Sequence, residues 1–84
     1  MSEEFNERRE TIFTGKVQGV GFRYTTRQIA ERFRVTGFVK NTTDGRVLLV
    51  TEGNSKEIDR FLAALRAEQQ RYIQGEEYTS GPAT

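Results

Sequence analysis

The residues best suited to chemistry sit in one short run, Gly15-Lys16-Val17-Gln18-Gly19-Val20-Gly21-Phe22-Arg23. Nowhere else in the chain do glycines cluster so densely. Successive backbone N–H groups in a glycine turn can form a concave anion nest. Glycine lets the backbone approach an anion without a Cβ in the way and adopts positive φ. A helix starting at Phe22 would add N–H groups that have no intrahelical partner, at the end where its dipole favours negative charge. Arg23, on the first turn of that helix, could grip a phosphoryl group through two oxygens. Taken alone, a run of this kind is more often a plain glycine-rich connection beside a solvated arginine. Two nucleotide signatures are missing. No Gly-Lys-Ser/Thr follows the loop, and Tyr24 occupies the place of the third glycine in a dinucleotide fingerprint.

Composition narrows the chemistry further. The 84 residues include no cysteine and no histidine. Thiolate chemistry, disulfides, the commonest general base and the commonest metal ligand are thereby excluded. No Asp/Glu set has a metal-ligand spacing, so neither metal nor cofactor is expected. The formal net charge of +1 implies no strong field for nucleic acid. No stretch approaches the ~18 apolar residues of a membrane span. The charged N-terminus lacks the apolar core of a secretory signal. A cytoplasmic, monomeric protein forming one domain over 1–84 is expected, with residues 1–8 as a solvated charged arm and 80–84 as a tail.

The elements that would hold the loop follow from periodicity. Thr11 to Val17 reads as a first strand, with Thr11, Phe13, Gly15 and Val17 on one face. Phe22 to Arg34 reads as a helix, in which Phe22, Ile29, Ala30 and Phe33 share a face. Thr36 to Asn41 is a second strand, Thr42-Thr43-Asp44-Gly45 a hairpin turn, and Arg46 to Glu52 a third strand. Asn54 with Glu57 resembles a capping box opening a second helix, to about Ala67. Its apolar stripe is Ile58, Phe61, Leu62 and Leu65. Tyr72 to Thr79 permits a polar fourth strand. Phe13, Phe22, Phe38 and Phe61 are core candidates, and the pairs Glu3-Glu4 and Glu76-Glu77 read as solvated. The order β-α-β-β-α-β suits an α+β, ferredoxin-like sandwich, an antiparallel sheet with both helices on one face. Many functions share that fold, so function must be argued from the site. Periodicity alone leaves open whether Asn41, at the end of the second strand, faces the glycine loop.

The run Lys16 to Tyr24 and the run Gly37-Phe38-Val39-Lys40-Asn41, followed by Asp44-Gly45-Arg46-Val47, resemble the two signatures of the acylphosphatase family. Glu52-Gly53 also agrees, and the resemblance covers roughly residues 9 to 66. It implies hydrolysis of the carboxyl–phosphate anhydride of small acyl phosphates. It places phosphate binding on Gln18, Gly19, Val20, Gly21, Phe22 and Arg23, the catalytic arginine at Arg23 and the water-orienting asparagine at Asn41. Inorganic phosphate or sulfate is expected to occupy such a site. The last edge strand of the family's five-stranded sheet is not identifiable in this sequence, which leaves a sheet edge to be exposed.

The chemistry so implied asks little of a protein. The leaving group is a carboxylate and needs no general acid. Water must attack phosphorus in line while charge spreads over the equatorial oxygens, so positioning and charge stabilisation suffice. An asparagine amide cannot deprotonate water, but it can hold one. Lys16 and Lys40 add positive field or are simply solvated, and Thr42 and Thr43 are better suited to stabilising the turn. The alternative is a non-enzymatic phosphate-, carbamoyl-phosphate- or RNA-binding module of the same fold. RNA-recognition domains stack bases on aromatics of the third strand, and Arg46 to Thr51 contains none.

Overall fold

Alternating burial along the first strand organises the molecule. In the computed structural model, which describes residues 6–83, strand β1 spans Asn6–Gly15. Thr11 and Phe13 are fully buried, while Glu10 and Thr14, on the opposite face, are exposed. Helix α1 (Phe22–Ala30), β2 (Val35–Asn41), β3 (Val47–Asn54), α2 (Ser55–Gln69), a short 3₁₀ turn (Gln70–Tyr72) and β4 (Ile73–Pro82) follow. The sheet order is β2-β3-β1-β4 and every pairing is antiparallel. This is the α+β, ferredoxin-like arrangement that the element order implies.

One face of the sheet carries the core. Phe13, Val17, Val39, Val47 and Leu49 pack with Phe22 and Ile29 of α1 and with Ile58, Phe61, Leu62 and Leu65 of α2. The Phe13 and Phe22 rings lie 5.4 Å apart at 57°, within the range where tilted aromatic pairs attract. This contact fixes where α1 begins relative to β1. Between the helices, buried Gln69 donates to the Thr26 hydroxyl at 3.0 Å, satisfying a polar pair inside an apolar layer.

Several expectations need correction. The first strand begins at Asn6 rather than Thr11, so residues 6–8 belong to the sheet and are not a solvated arm; residues 1–5, with the Glu3-Glu4 pair, lie outside the described residues. The strand ends at Gly15, through a register shift at Thr14/Gly15. Helix α1 stops at Ala30 instead of Arg34. Arg32 N–H bonds to Ile29 O and Phe33 N–H to Ala30 O, an i→i+3 tightening that closes the helix. Phe33 reaches the core from that turn, its ring 6.0 Å from Phe61. Phe38 is half exposed rather than in the core. Strand parity explains this: Val39 takes the helix-facing position, so Phe38 falls on the open face, opposite Val50.

The fourth strand is longer and better held than its polar sequence suggests. It pairs with β1 from Glu7↔Pro82 to Gly15↔Ile73, so Ser80–Pro82 are strand and not tail. Charge-assisted bonds replace apolar packing. Arg66 donates to Glu76 at 2.8–3.1 Å, which makes Glu76 a bound rather than a solvated carboxylate. The Ser80 hydroxyl donates to Glu7 at 2.7 Å. The guanidinium of Arg9 lies 5.0 Å over the Tyr78 ring.

Candidate functional site

The glycine loop leaves the end of β1 and delivers the chain into α1. Lys16 N–H bonds to Tyr72 O at 2.9 Å, anchoring the start of the loop to the 3₁₀ turn. Gly19 and Gly21 have φ of 78° and 79°, a region costly for any residue with a Cβ. A Cβ at either position would meet nothing within 4 Å. Backbone conformation rather than crowding therefore explains these glycines, and the space beside them is open.

Gly21 is also the N-cap of α1. It has no side chain to cap with, and no acidic residue follows in the first turn. Helix α2 differs: the Asn54 side chain accepts from Lys56 N–H at 2.9 Å, and Glu57 lies in its first turn. Among the described residues, the N–H groups from Gln18 to Phe22 make no backbone hydrogen bond. The loop and the start of α1 thus gather unsatisfied donors at the positive end of a helix dipole.

Those donors border a cavity of about 190 Å³ lined by Val17, Gly19, Gly21, Phe22, Arg23, Tyr24, Arg27 and Asn41. Periodicity had left the direction of Asn41 open; Asn41 and Arg23 here line the same space. Neither side chain bonds to another described residue. Arg23 and Arg27, like Arg34 and Arg71, have no carboxylate ion pair among the described residues, whereas Arg8, Arg9, Arg32, Arg46, Arg60 and Arg66 each pair with at least one. Two guanidinium groups without a carboxylate partner, at an uncapped helix start, are an arrangement able to receive an anion.

The remaining phosphate-binding candidates are distributed differently. Gly19, Gly21 and Phe22 line the cavity, but the Val20 side chain is exposed and does not. The Gln18 amide is turned away from it, donating to Thr42 O at 2.9 Å and to Arg46 O at 2.8 Å. Gln18 thereby ties the loop to the neck of the β2–β3 hairpin, directly after Asn41. The same neck is closed by Thr42 N–H to Arg46 O at 2.8 Å and by Arg46 N–H to the Thr42 hydroxyl at 2.9 Å. Asp44 accepts from the Thr42 hydroxyl and takes two bonds from the Arg46 guanidinium at 2.7 and 3.0 Å. That pairing, seconded by the Thr42 hydroxyl, holds the Asp44 carboxyl down at about 2. Arg46 is thus committed to the turn, and Thr42 serves the turn as its residue type suggests.

Tyr24, inside the first signature run but given no role there, and Arg27, outside both runs, also line the cavity. Arg27 reads as part of the polar face of the first helix, yet it stands four positions after Arg23, one turn along the same face. That spacing was the available signal. Among the described residues, no group of three or more His, Cys, Asp or Glu could hold a metal ion, and no helix is long and apolar enough to cross a membrane.

Known proteins resemble this chain in sequence and in fold. The sequence model of the family described as Acylphosphatase matches residues 9–82. An acylphosphatase of Archaeoglobus fulgidus is 45% identical over 58 residues, 69% of this chain. The match spans 65% of that relative's length, and a comparable one spans 62% of the Ligilactobacillus salivarius acylphosphatase. The crystal structure of an acylphosphatase from Bacillus subtilis superposes with a TM-score of 0.84 at 30% identity, covering 93% of this chain and 88% of that one. An acylphosphatase structure from Coxiella burnetii gives 0.82 at 30% identity, covering 100% of this chain and 92% of that one.

Proposed function

This chain belongs to the acylphosphatase family, and on that premise we propose that it hydrolyses acyl phosphates, releasing a carboxylate and inorganic phosphate. The observation that supports the reading is the meeting of Arg23, Asn41 and the uncapped start of α1 around one cavity. The loop N–H groups and Arg23 bind the phosphoryl oxygens. They hold them more tightly as charge builds on those oxygens in the transition state. Asn41 holds water by its side-chain amide, in line with the bond to be broken. The water oxygen bonds to phosphorus. The phosphorus–oxygen bond to the acyl group breaks, and its electron pair leaves on the carboxylate. The proton lost by water passes to an oxygen of the substrate, because no side chain at the cavity is a base near neutral pH.

Gln18 acts here through its side chain as a brace between loop and hairpin, and through its backbone N–H as part of the nest. The protein works as a cytoplasmic monomer without metal. The direct test is release of inorganic phosphate from acetyl phosphate by purified protein in excess EDTA, with phosphate monoesters alongside. Turnover of acetyl phosphate alone, undiminished by the chelator, is expected. Activity that disappears in EDTA and returns with magnesium or zinc counts against this site.

A further inference from the structure

The phosphate cavity does not end at Arg27. Beyond it, at the edge strand β2, lies a groove of about 290 Å³ lined on the helix side by Arg27, Ala30, Val39 and Phe61, and also by Thr36 and Phe38 from the other face of the strand. Arg27 belongs to both spaces. Strand geometry also makes them neighbours. Val35, Gly37, Val39 and Asn41 are alternate residues of β2, so the strand face that presents Asn41 to the first space presents Val39 and Val35 to the second. On the helix, Arg23 and Tyr24 line the first space, Thr26 and Ala30 the second. Sharing Arg27, the two spaces can be occupied as one cleft, cationic at the start of α1 and mostly apolar toward its end. An acyl phosphate has the same polarity along its length.

We propose that the apolar end of the cleft receives the acyl group, and that the preferred substrates are acyl phosphates with apolar chains longer than acetyl. The inference rests on the polar end being the phosphate site. With the phosphoryl group among the loop N–H groups, the anhydride oxygen lies toward Arg27 and the chain runs along Val39 and Ala30 toward Val35. The groove is at the small end of ligand sites, about 300–1,000 Å³, which suits a short hydrocarbon chain and excludes a bulky carrier. Its outer side is the free edge of β2, the last strand of the sheet on that side. Chains can therefore enter from the side without any rearrangement.

Straight-chain acyl phosphates are the sharpest probes, since their anhydrides have nearly the same intrinsic reactivity. On the parent protein, kcat/KM should rise from acetyl through butyryl to hexanoyl phosphate, by up to about fourfold per methylene while the chain is being buried. Hexanoate should inhibit more strongly than acetate in the same order. Ala30→Phe places a ring in the groove and should flatten the series, lowering hexanoyl against acetyl phosphate by tenfold or more. Its melting curve is to be taken on the same sample. If Ala30→Phe does not fold, the parent series and the hexanoate inhibition decide alone. Acetyl phosphate turned over with no gain for longer chains overturns the acyl site and leaves the phosphohydrolase reading standing. No turnover of any acyl phosphate removes that reading and the inference with it. A parent protein that dimerises at micromolar concentration, with a flat chain series, gives the groove to a second copy of this chain and also overturns the proposal.

Discussion

At the scale of single residues, Arg23 and Asn41 share a cavity but have separable duties. On the proposed mechanism Arg23 supplies charge to bound phosphate and to the transition state alike. Arg23→Ala should therefore weaken inorganic phosphate binding and depress kcat together. Arg23→Lys should recover little, because an ammonium cannot make the two-pronged contact. Near-parent kinetics in Arg23→Ala would move the anion site to Arg27. On the same mechanism Asn41 touches only the nucleophile, so Asn41→Ala should bind phosphate normally while kcat falls by about 10²–10³, the usual loss for an oriented donor. KM should change far less than kcat. Kinetics, phosphate titration and a thermal melt on one sample separate this from a folding defect. A folded Asn41→Ala protein that turns over at the parent rate would place the water elsewhere.

The next scale is the element, and here the informative contrast lies between the two helices. Asn54 caps α2 from within the chain, whereas α1 begins at a glycine and leaves its first donors open. On the proposed function an anion is the missing cap. Inorganic phosphate should raise the melting temperature, with a gain of about 2.7 kcal/mol at one hundred times its dissociation constant. Chloride at equal ionic strength should not reproduce the effect, and Arg23→Ala should reduce it sharply. An identical shift in parent and variant would indicate general salting rather than occupancy of the loop. The hairpin is the other positioning element. Asn41 is held in place by the ladder to Val47, by the Thr42 and Asp44 turn bonds and by the Gln18 brace. Of these, only the turn was readable from Asp-Gly; a glutamine side chain reaching two carbonyls across a loop leaves no trace in local pattern.

For the molecule as a whole, the most consequential ionisable group lies far from the cavity. Glu7 is buried, and its carboxyl is held down at about 2 against an ordinary 4.5, first by the Arg9 side chain and, against the cost of burial, by Ser80 and Ser55. Arg9 donates to it at 2.7 and 3.0 Å and also reaches Asp59 at 3.0 Å, so β1, β4 and α2 meet there. A depressed carboxylate stabilises the fold at pH above its unfolded value. The contribution, of the order of 3 kcal/mol, is complete above about pH 5 and is lost as pH falls toward 2. Stability measured by urea between pH 7 and 2 should show this slope. Glu7→Gln should be weaker at pH 7 and flatter below pH 5. A parallel pair of curves would mean that Glu7 titrates alike in the folded and unfolded states. Periodicity made the sheet and helices legible because their stripes face one core. The reach of β1 back to Asn6 and of β4 on to Pro82 was hidden because both are held by ladder bonds and ion pairs among polar side chains. The two signature runs pointed to Arg23 and Asn41, which the fold brings to one cavity. Arg27 escaped notice as one more charge on a charged helix face.

The sheet order has a bearing on biogenesis. Of these four strands the first to be synthesised is an inner one, and its two partners are the later β3 and β4. At about 5–20 residues per second, β1 leaves the ribosome seconds before β4 exists to cover its second edge. During that interval Thr11-Ile12-Phe13 is an unpaired β-forming stretch of the kind that seeds aggregation. Arg8, Arg9 and Glu10 immediately precede it, and charges flanking such a stretch act as gatekeepers. The β2–β3 hairpin, closed by a tight turn, can form in microseconds and wait. The joining of β1 to partners so remote in sequence should then set the folding rate, as expected for a topology dominated by distant pairings.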